Sequence, residues 1–210
     1  MFTPLKYSLA IISILSLFSA CSESSTKKTS ETVVVTKDTA CVYSFDDASL
    51  RVFWAGYKTE DKLKVIGQFK EQSTDRSLQK FSSLTELVNG TKFSINTLSS
   101  ASGDEIRDLN LKEHFFNLFT DNFEINGSLD AFSKDSVTAS LSILGFDQAV
   151  KLVHSLKNDI LKMKGTLSIK DFGAIKAYNS IHLKCFDLHK GVTWDDVDVI
   201  IEVPLIKECK

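Results

Sequence analysis

The sequence has no excess of charge of one sign, and this limits the partners it is expected to have. Its 25 lysines and arginines against 27 aspartates and glutamates give a formal net charge of −2 at pH 7. Nucleic-acid-binding proteins meet phosphates with a basic excess, so nucleic acid is not expected as the main partner. The sequence also has no Gly-x-Ser-x-Gly, no phosphate-binding loop and no Cys-x-x-Cys. Neither an enzyme nor a catalytic cofactor is therefore predicted.

A long hydrophobic run is missing as well. The apolar stretch 9–18 is too short to span a membrane comfortably, because a spanning helix needs roughly 20 residues. Lys6 precedes it, and the small residues Ser19 and Ala20 follow it. A positive start, a short apolar core and a small-residue end are typical of a secretory signal peptide, predicted here as 1–20.

Cys21 changes the expected destination from secreted to membrane-anchored. A small-small-Cys ending resembles the bacterial lipobox, in which the cysteine receives acyl chains such as palmitate. The alternative is ordinary secretion with a chance cysteine. Ser22 follows, and no aspartate does, which by resemblance to Gram-negative lipoproteins favours the outer membrane and a periplasm-facing domain. The segment 21–39 is rich in Ser, Thr and Lys and is predicted to be the lipidated cysteine with a flexible tether.

The segment 40–210 is predicted to be a single domain made mainly of β-strands. Eight segments alternate apolar and polar residues with a period of two, which gives each strand one dry and one wet face. Many half-buried strands with one to three short helices indicate an all-β barrel or sandwich. The predicted strands are 50–55, 65–70, 92–97, 123–129, 137–143, 149–155, 161–170 and 196–203, and the predicted helices are 77–88, 104–119 and 174–188.

Three cysteines remain after Cys21, so one thiol has no partner within the domain. Cys41 lies just before the first predicted strand and Cys209 just after the last. The two ends of a closed antiparallel barrel come together, which favours a disulfide between Cys41 and Cys209. The alternative pairing is Cys41 with Cys185.

Several short motifs resemble the YceI-like family of periplasmic proteins. The family has a strand ending in Ser-Ile-x-Thr, then Arg-Asp and a Leu, then a Phe-Phe-Asp element. This chain has 94–97, Arg107-Asp108, Leu111 and 115–117 in the same order. The resemblance covers about 41–204, and its other matches are Val52-x-Trp54, Val65-x-Gly67-x-Phe69, 165–173 and 194–203.

The resemblance implies an eight-stranded antiparallel lipocalin-like barrel that holds the tail of a polyisoprenoid or another amphiphilic lipid. Periodicity alone is equally compatible with a filled core. On the predicted inward faces, large side chains alternate with glycines. We expect the glycines to leave room inside the barrel for the hydrocarbon tail of a ligand. The residues predicted to contact the ligand are Val52, Trp54, Phe69, Phe93, Ile95, Arg107, Phe115, Phe116, Ile125, Leu141, Ile143, Leu167 and Phe172.

The polar end of the ligand is less defined. Leu144 and Asn110 stand where family members often have histidines, so the resemblance does not identify the head group. Arg107 is predicted to pair with a lipid phosphate, and the alternative is that Arg107 and Asp108 form a structural ion pair or a helix-start feature. Asp196 and Asp198 are expected to share a solvated outer face.

One spacing is compatible with a metal site. On a helix, His182, Cys185 and His189 would share one face, and these residue types bind zinc or copper. The alternative is a surface helix with a structural cysteine. The predicted function is a lipid carrier or scavenger in the periplasm. The alternatives are an envelope-stress or interaction scaffold with a filled barrel, and a metal or redox role through these three residues.

Overall fold

The computed structural model of the protein describes residues 40–119 and 122–210. The predicted signal peptide and the predicted tether with Cys21 lie outside the described residues. In this part of the chain, no helix combines the length and the apolar character needed to cross a membrane.

Antiparallel strands are the main secondary structure of the described residues. A two-stranded sheet pairs β1 (Cys41–Ser44) with β12 (Ile206–Cys209). The other ten strands form one sheet. In chain order they are β2 (Arg51–Lys58), β3 (Leu63–Phe69), β4 (Gln72–Thr74), β5 (Thr91–Asn96), β6 (Ser100–Ala101), β7 (Glu124–Asp130), β8 (Ser136–Ile143), β9 (Phe146–Lys157), β10 (Ile160–Ser168) and β11 (Asp196–Pro204).

The large sheet closes on itself. Strands β3 and β4 are two halves of one interrupted strand, and β5 and β6 are two halves of another. β4 pairs with β5 while β3 pairs with β6. Across the interruption, the N–H of Lys70 donates to the carbonyl of Ser99 at 3.2 Å, and the N–H of Asn96 donates to the carbonyl of Glu71 at 3.0 Å. The ten segments therefore make a barrel of eight strands, and the predicted fold is confirmed.

Four short helices accompany the barrel: α1 (Leu84–Val88), α2 (Glu105–Leu111), α3 (Asn117–Phe119) and α4 (Ile175–Lys184). A π-helical turn, Lys112–Phe116, joins α2 to α3. The helix α2 begins where the Asp104 carboxylate accepts the N–H of Arg107 at 3.0 Å. The helix predicted over 104–119 is present with a π-helical turn inside it, and the helix predicted over 174–188 is present but ends at Lys184.

The helix predicted over 77–88 is wrong in its first half. Only Leu84–Val88 is helical. Phe81 and Tyr43 exchange two backbone hydrogen bonds, at 2.8 and 2.9 Å, and Leu78 has a φ of 60°. The helix would need the backbone groups of Phe81 for its own hydrogen bonds, and the φ of Leu78 lies outside the right-handed helical region. The helix therefore cannot continue through these residues.

One end of the barrel is filled. Around a small cavity of about 60 Å³, its centre is packed with apolar side chains that are at most 6% exposed: Val88, Val137, Leu161, Met163 and Val203. The β1–β12 sheet lies at this end, since the N–H of Leu205, just before β12, donates to the carbonyl of Asp159 in the β9–β10 turn at 2.7 Å. Cys41 and Cys209 form a disulfide there. Cys185 is a free, buried thiol, so the alternative pairing is not formed.

Asp198 departs from the expectation of a solvated outer face. It does point outward from β11, but it is only 6% exposed. Tyr57 and Thr166 each donate a hydroxyl hydrogen bond to it at 2.7 Å, and the Lys64 ammonium lies at 3.1 Å. Burial raises the pKa of Asp198, but these hydrogen bonds and the neighbouring Lys164 outweigh burial and lower the pKa to about 2. Asp196 pairs with Lys62 and remains exposed, as expected.

Candidate functional site: an apolar cavity inside the barrel

The barrel holds a cavity of about 480 Å³. This volume lies within the range of roughly 300–1,000 Å³ that is usual for small-molecule sites. The cavity reaches solvent at the end of the barrel that carries α2, α3 and α4. There Ile106 and Leu188 line it while remaining 75% and 71% exposed. We call this end the open end.

All eight strands of the barrel contribute apolar side chains to the cavity wall. Twelve of the residues predicted to contact the ligand line it: Val52, Trp54, Phe69, Phe93, Ile95, Arg107, Phe115, Phe116, Ile125, Leu141, Ile143 and Leu167. Period-two alternation was a sufficient signal for the strand residues among them, because every second side chain of a closed barrel points inward. That these residues bind a ligand stays a prediction.

Phe172 is placed differently from the expectation. It is 1% exposed and belongs to the packed core, and it does not line the cavity. After β10 the chain enters a 3-10 turn, Ile169–Phe172, so the strand alternation that predicted an inward ring ends before this residue.

The inward-facing glycines also act differently from the expectation. A Cβ atom on Gly67 would lie 2.2 Å from Cζ2 of Trp54, and one on Gly127 would lie 2.7 Å from Cζ of Phe93. Each glycine faces that aromatic residue directly on the next strand. The glycines therefore do not keep space empty themselves. They let large rings lie against the wall, and the free volume is at the centre of the barrel.

A cluster of phenylalanines from the helical segment covers part of the opening. The rings of Phe115 and Phe119 stack with centroids 4.8 Å apart, and Phe115 meets Phe116 edge-on at 5.2 Å. Phe116 in turn meets Phe69 of β3 at 5.9 Å. Phe115 and Phe116 belong to the π-helical turn, and both line the cavity. This turn thus joins the helical cover to the cavity wall.

Arg107 lies at the open end and is held by Ser102. Its Nε donates to the Ser102 hydroxyl at 2.7 Å, and its Nη2 donates to the Ser102 carbonyl at 3.0 Å. Asp108 also binds Ser102, accepting its N–H at 2.9 Å and its hydroxyl. Among the described residues Arg107 and Asp108 form no ion pair with each other, but Arg107 lies in the first turn of α2, where Asp104 caps its N–H, as the helix-start alternative predicts. The guanidinium lines the cavity as a fixed positive group.

His182 and His189 do not form a metal site with Cys185. Both histidine Nδ1 atoms lie within hydrogen-bond distance of the Thr193 hydroxyl, at 3.1 and 3.2 Å. Within the part of the chain that the structure describes, no group of three or more His, Cys, Asp or Glu side chains is arranged to hold a metal. The helix ends at Lys184, before Cys185 and His189, and both imidazoles are bound to Thr193 instead.

The groups around this hydroxyl favour uncharged forms. Burial raises the pKa of the Cys185 thiol. Burial also lowers the pKa of His189, and the nearby Lys58 and His182 add to this effect. Cys185, His189 and Lys58 all line the cavity near its opening. This part of the cavity wall therefore presents a neutral thiol and a neutral imidazole near pH 7, with Lys58 beside them.

Some lining residues were missed by the sequence analysis. Val197, Val199 and Ile201 of β11 line the cavity, and the alternation used for the other strands identifies them equally well. Lys58 and Thr193 carry no comparable local signal. They are brought together by an isolated antiparallel bridge between them, a contact across 135 positions of sequence.

Comparison with known proteins supports the fold. No family model matches the sequence, and no curated protein matches it. The crystal structure of BcnA from Burkholderia cenocepacia is matched with a TM-score of 0.51 at 13% identity, over 78% of this chain and 99% of that one. A polyisoprenoid binding domain from Saccharophagus degradans, implicated in plant cell wall breakdown, is matched with a TM-score of 0.54 at 14% identity, over 80% and 98%. At these identities the likeness shows the fold, so the YceI-like resemblance is confirmed at that level.

Proposed function

We propose that the barrel binds a long apolar or amphiphilic lipid, such as a polyisoprenoid, with the lipid tail in the cavity. The observation that carries this proposal is the cavity itself, a volume of about 480 Å³ inside an apolar wall that reaches solvent at the end of the barrel that carries Arg107 and Lys58. The similarity in fold to a polyisoprenoid binding domain supports the same ligand class. A filled scaffold, which was the main alternative, would have side chains in contact across this space.

Burial of the tail supplies enough free energy for useful affinity. Each buried methylene group contributes about 0.8 kcal/mol. Ten such groups contribute about 8 kcal/mol, which corresponds to a micromolar dissociation constant before the cost of ordering the chain. Polar contacts would then add specificity at the opening, where Arg107 and Lys58 favour an anionic head group.

We further propose that the protein is a periplasm-facing lipoprotein that carries or scavenges this lipid, anchored in the outer membrane through Cys21. The small-small-Cys ending at 19–21 and the Ser22 that follows it support the anchor and its destination. The mainly apolar wall of the cavity supports a binding role.

Native mass spectrometry of the gently purified barrel domain tests the binding proposal. Residues 38–210 form one compact unit with a closed hydrogen-bonded barrel and its own core, so the domain is expected to fold without the preceding segment. We expect a population with additional mass that solvent extraction identifies as lipid, or uptake of a polyprenol supplied in detergent. A domain that neither carries lipid nor takes up polyprenol would contradict the proposal.

A further inference from the structure

The open end of the barrel exposes an unusual number of large apolar side chains. Two of them, Ile106 and Leu188, also line the cavity. Leu109 of α2 and Leu183 of α4 are 53% and 72% exposed, and Phe186 is exposed just after α4. Neither Leu109 nor Leu183 lines the cavity. Exposed apolar side chains are common singly, but a group around one opening marks an interaction surface.

The outer face of α4 shows that this exposure is not a by-product of core packing. Ala177, Ile181 and Cys185 form the buried stripe of this segment. Leu183 and Phe186 lie on the opposite side, where a surface helix normally carries polar residues. The segment thus has an apolar side toward the barrel and further apolar groups toward solvent.

Exposed lysines lie on or beside the helical segments that carry these apolar groups, and the α2 side also exposes the carboxylates of Asp104, Glu105 and Glu113. Lys112 follows α2, and Lys176, Lys184 and Lys190 lie on or beside α4, all of them exposed. Among the described residues none of the four forms an ion pair. The segment 175–190 contains three lysines and one carboxylate, Asp187. Apolar side chains with Leu or Phe among lysines are the combination that binds anionic bilayer surfaces.

We propose that the open end docks on the surface of an anionic lipid bilayer, so that Leu109, Leu183 and Phe186 enter the interface and the lysines contact phosphates. This inference rests on the proposed lipid-binding function, because a water-insoluble ligand has to pass directly between bilayer and cavity. Continuity favours a bilayer over a second copy of the chain. The apolar surface runs into the cavity through Ile106 and Leu188, and a second copy seated there would close the entrance.

Vesicle binding by the barrel domain tests the proposal. Vesicles of phosphatidylethanolamine with phosphatidylglycerol are compared with vesicles of phosphatidylcholine alone, using cosedimentation. We expect binding to the anionic vesicles, weakened by salt, and a loss of about tenfold in partitioning for Leu109→Gln/Leu183→Gln, since binding scales with the buried apolar area. The matched control is Ile66→Gln/Val153→Gln, which alters two aliphatic side chains with similar exposure on the outer wall and is expected to bind like the unmodified domain.

A second measurement separates docking from ligand binding. Uptake of polyprenol from detergent is expected to be unchanged in Leu109→Gln/Leu183→Gln, while uptake from anionic vesicles falls about as much as vesicle binding does. If the domain does not bind vesicles, docking is overturned even if uptake from detergent persists. The same follows if both double variants lose vesicle binding equally. Light scattering that shows a dimer dispersed by Leu109→Gln/Leu183→Gln, without vesicle binding, would assign the surface to a second copy and also overturn the proposal. Failure of detergent uptake alone would instead count against the cavity function.

Discussion

At the scale of single residues, the pair formed by Trp54 and Gly67 shapes the cavity. The two residues face each other on β2 and β3, and the indole lies over the glycine. The indole N–H donates to the Ser100 hydroxyl at 2.9 Å, which holds the ring in this orientation. Because the ring lies along the wall, it contributes apolar surface without filling the centre.

Gly67→Ala is expected to move this ring. The added methyl would lie 2.2 Å from Cζ2 of Trp54, so the indole must leave the wall and enter the cavity. We expect a loss of about 1–3 kcal/mol in the free energy of unfolding and weaker polyprenol binding. Urea unfolding measures the stability, and near-ultraviolet circular dichroism reports the environment of the indole ring. Gly56→Ala is the matched control for stability and for the indole signal, since no atom lies within 4 Å of its added methyl; an equal loss of stability there would contradict the role given to the Trp54 ring.

Asp198 is the residue whose ionisation is expected to affect stability most clearly. Its pKa is lowered from 3.8 to about 2 in the folded protein. The unfolded chain therefore takes up the proton first, so the contribution of Asp198 is complete above about pH 4 and is lost as the pH falls toward about 2. Asp198→Asn is expected to lower the free energy of unfolding at pH 7 by about 1–3 kcal/mol and to flatten this acid dependence.

Acid unfolding followed by circular dichroism checks that prediction. Asp196→Asn is the control two positions away on the same strand face. Its carboxylate pairs with Lys62 in an exposed position, and such surface pairs contribute about 0–1 kcal/mol. If both variants lose the same stability, the buried network around Asp198 does not have the role given to it here.

At the scale of elements, the interrupted strands determine how the barrel closes. The β4–β5 ladder pairs Gln72 with Ile95, and the β3–β6 ladder pairs Phe69 with Ser100. A 3-10 turn, Thr97–Ser99, separates β5 from β6 and changes the direction of that strand. The consequence is a strong bend at the closing seam while the sheet remains hydrogen-bonded around its circumference.

The disulfide that joins β1 to β12 is expected to stabilise the domain without affecting the cavity. It closes a loop with a sequence separation of 168 at the filled end of the barrel. A cross-link over a long loop stabilises a protein by about 2–4 kcal/mol, mainly by restricting the unfolded chain. Cys41→Ser/Cys209→Ser is therefore expected to lose about this much in urea unfolding. Polyprenol binding by the folded variant should be unchanged, and weaker binding would show that the two ends are coupled.

The sequence predicted the barrel strands well because each has one dry and one wet face. All eight predicted strands are present, and period-two alternation identified them. The short strands β1, β4, β6 and β12 were missed, since two to four residues carry too little periodicity. The apolar spacing of Leu78 and Phe81 resembled a helix, but the pairing of Phe81 with Tyr43 depends on a contact far away in the sequence.

The wall of the candidate site could be predicted from the sequence better than its opening could. The wall follows from the strand alternation, with Phe172 as the exception because its strand has already ended. The opening depends on groups that are far apart in the sequence: Lys58 ends β2, Arg107 lies in α2 and Thr193 precedes β11. Nothing in their local sequence indicates that they meet, so only the folded chain could identify them together.

At the scale of the whole barrel, the two ends have different structural roles. Packed side chains, the β1–β12 sheet and the disulfide stabilise the filled end. The open end carries the helices, the polar opening and the exposed apolar groups. This separation lets the domain keep an internal cavity, which by itself lowers stability, while the fold is maintained from the opposite end.

The central claim is that a lipid tail occupies the middle of the barrel, and a titration with polyprenol of the domain and two Ala→Phe variants tests it most directly. Ala139 is buried and lines the cavity, whereas Ala149 is exposed on the neighbouring strand β9. We predict that Ala139→Phe, by filling the space that the tail needs, weakens binding at least about tenfold. Its circular dichroism spectrum should stay like that of the unmodified domain, and Ala149→Phe should bind normally. Equal binding by all three proteins would contradict the claim.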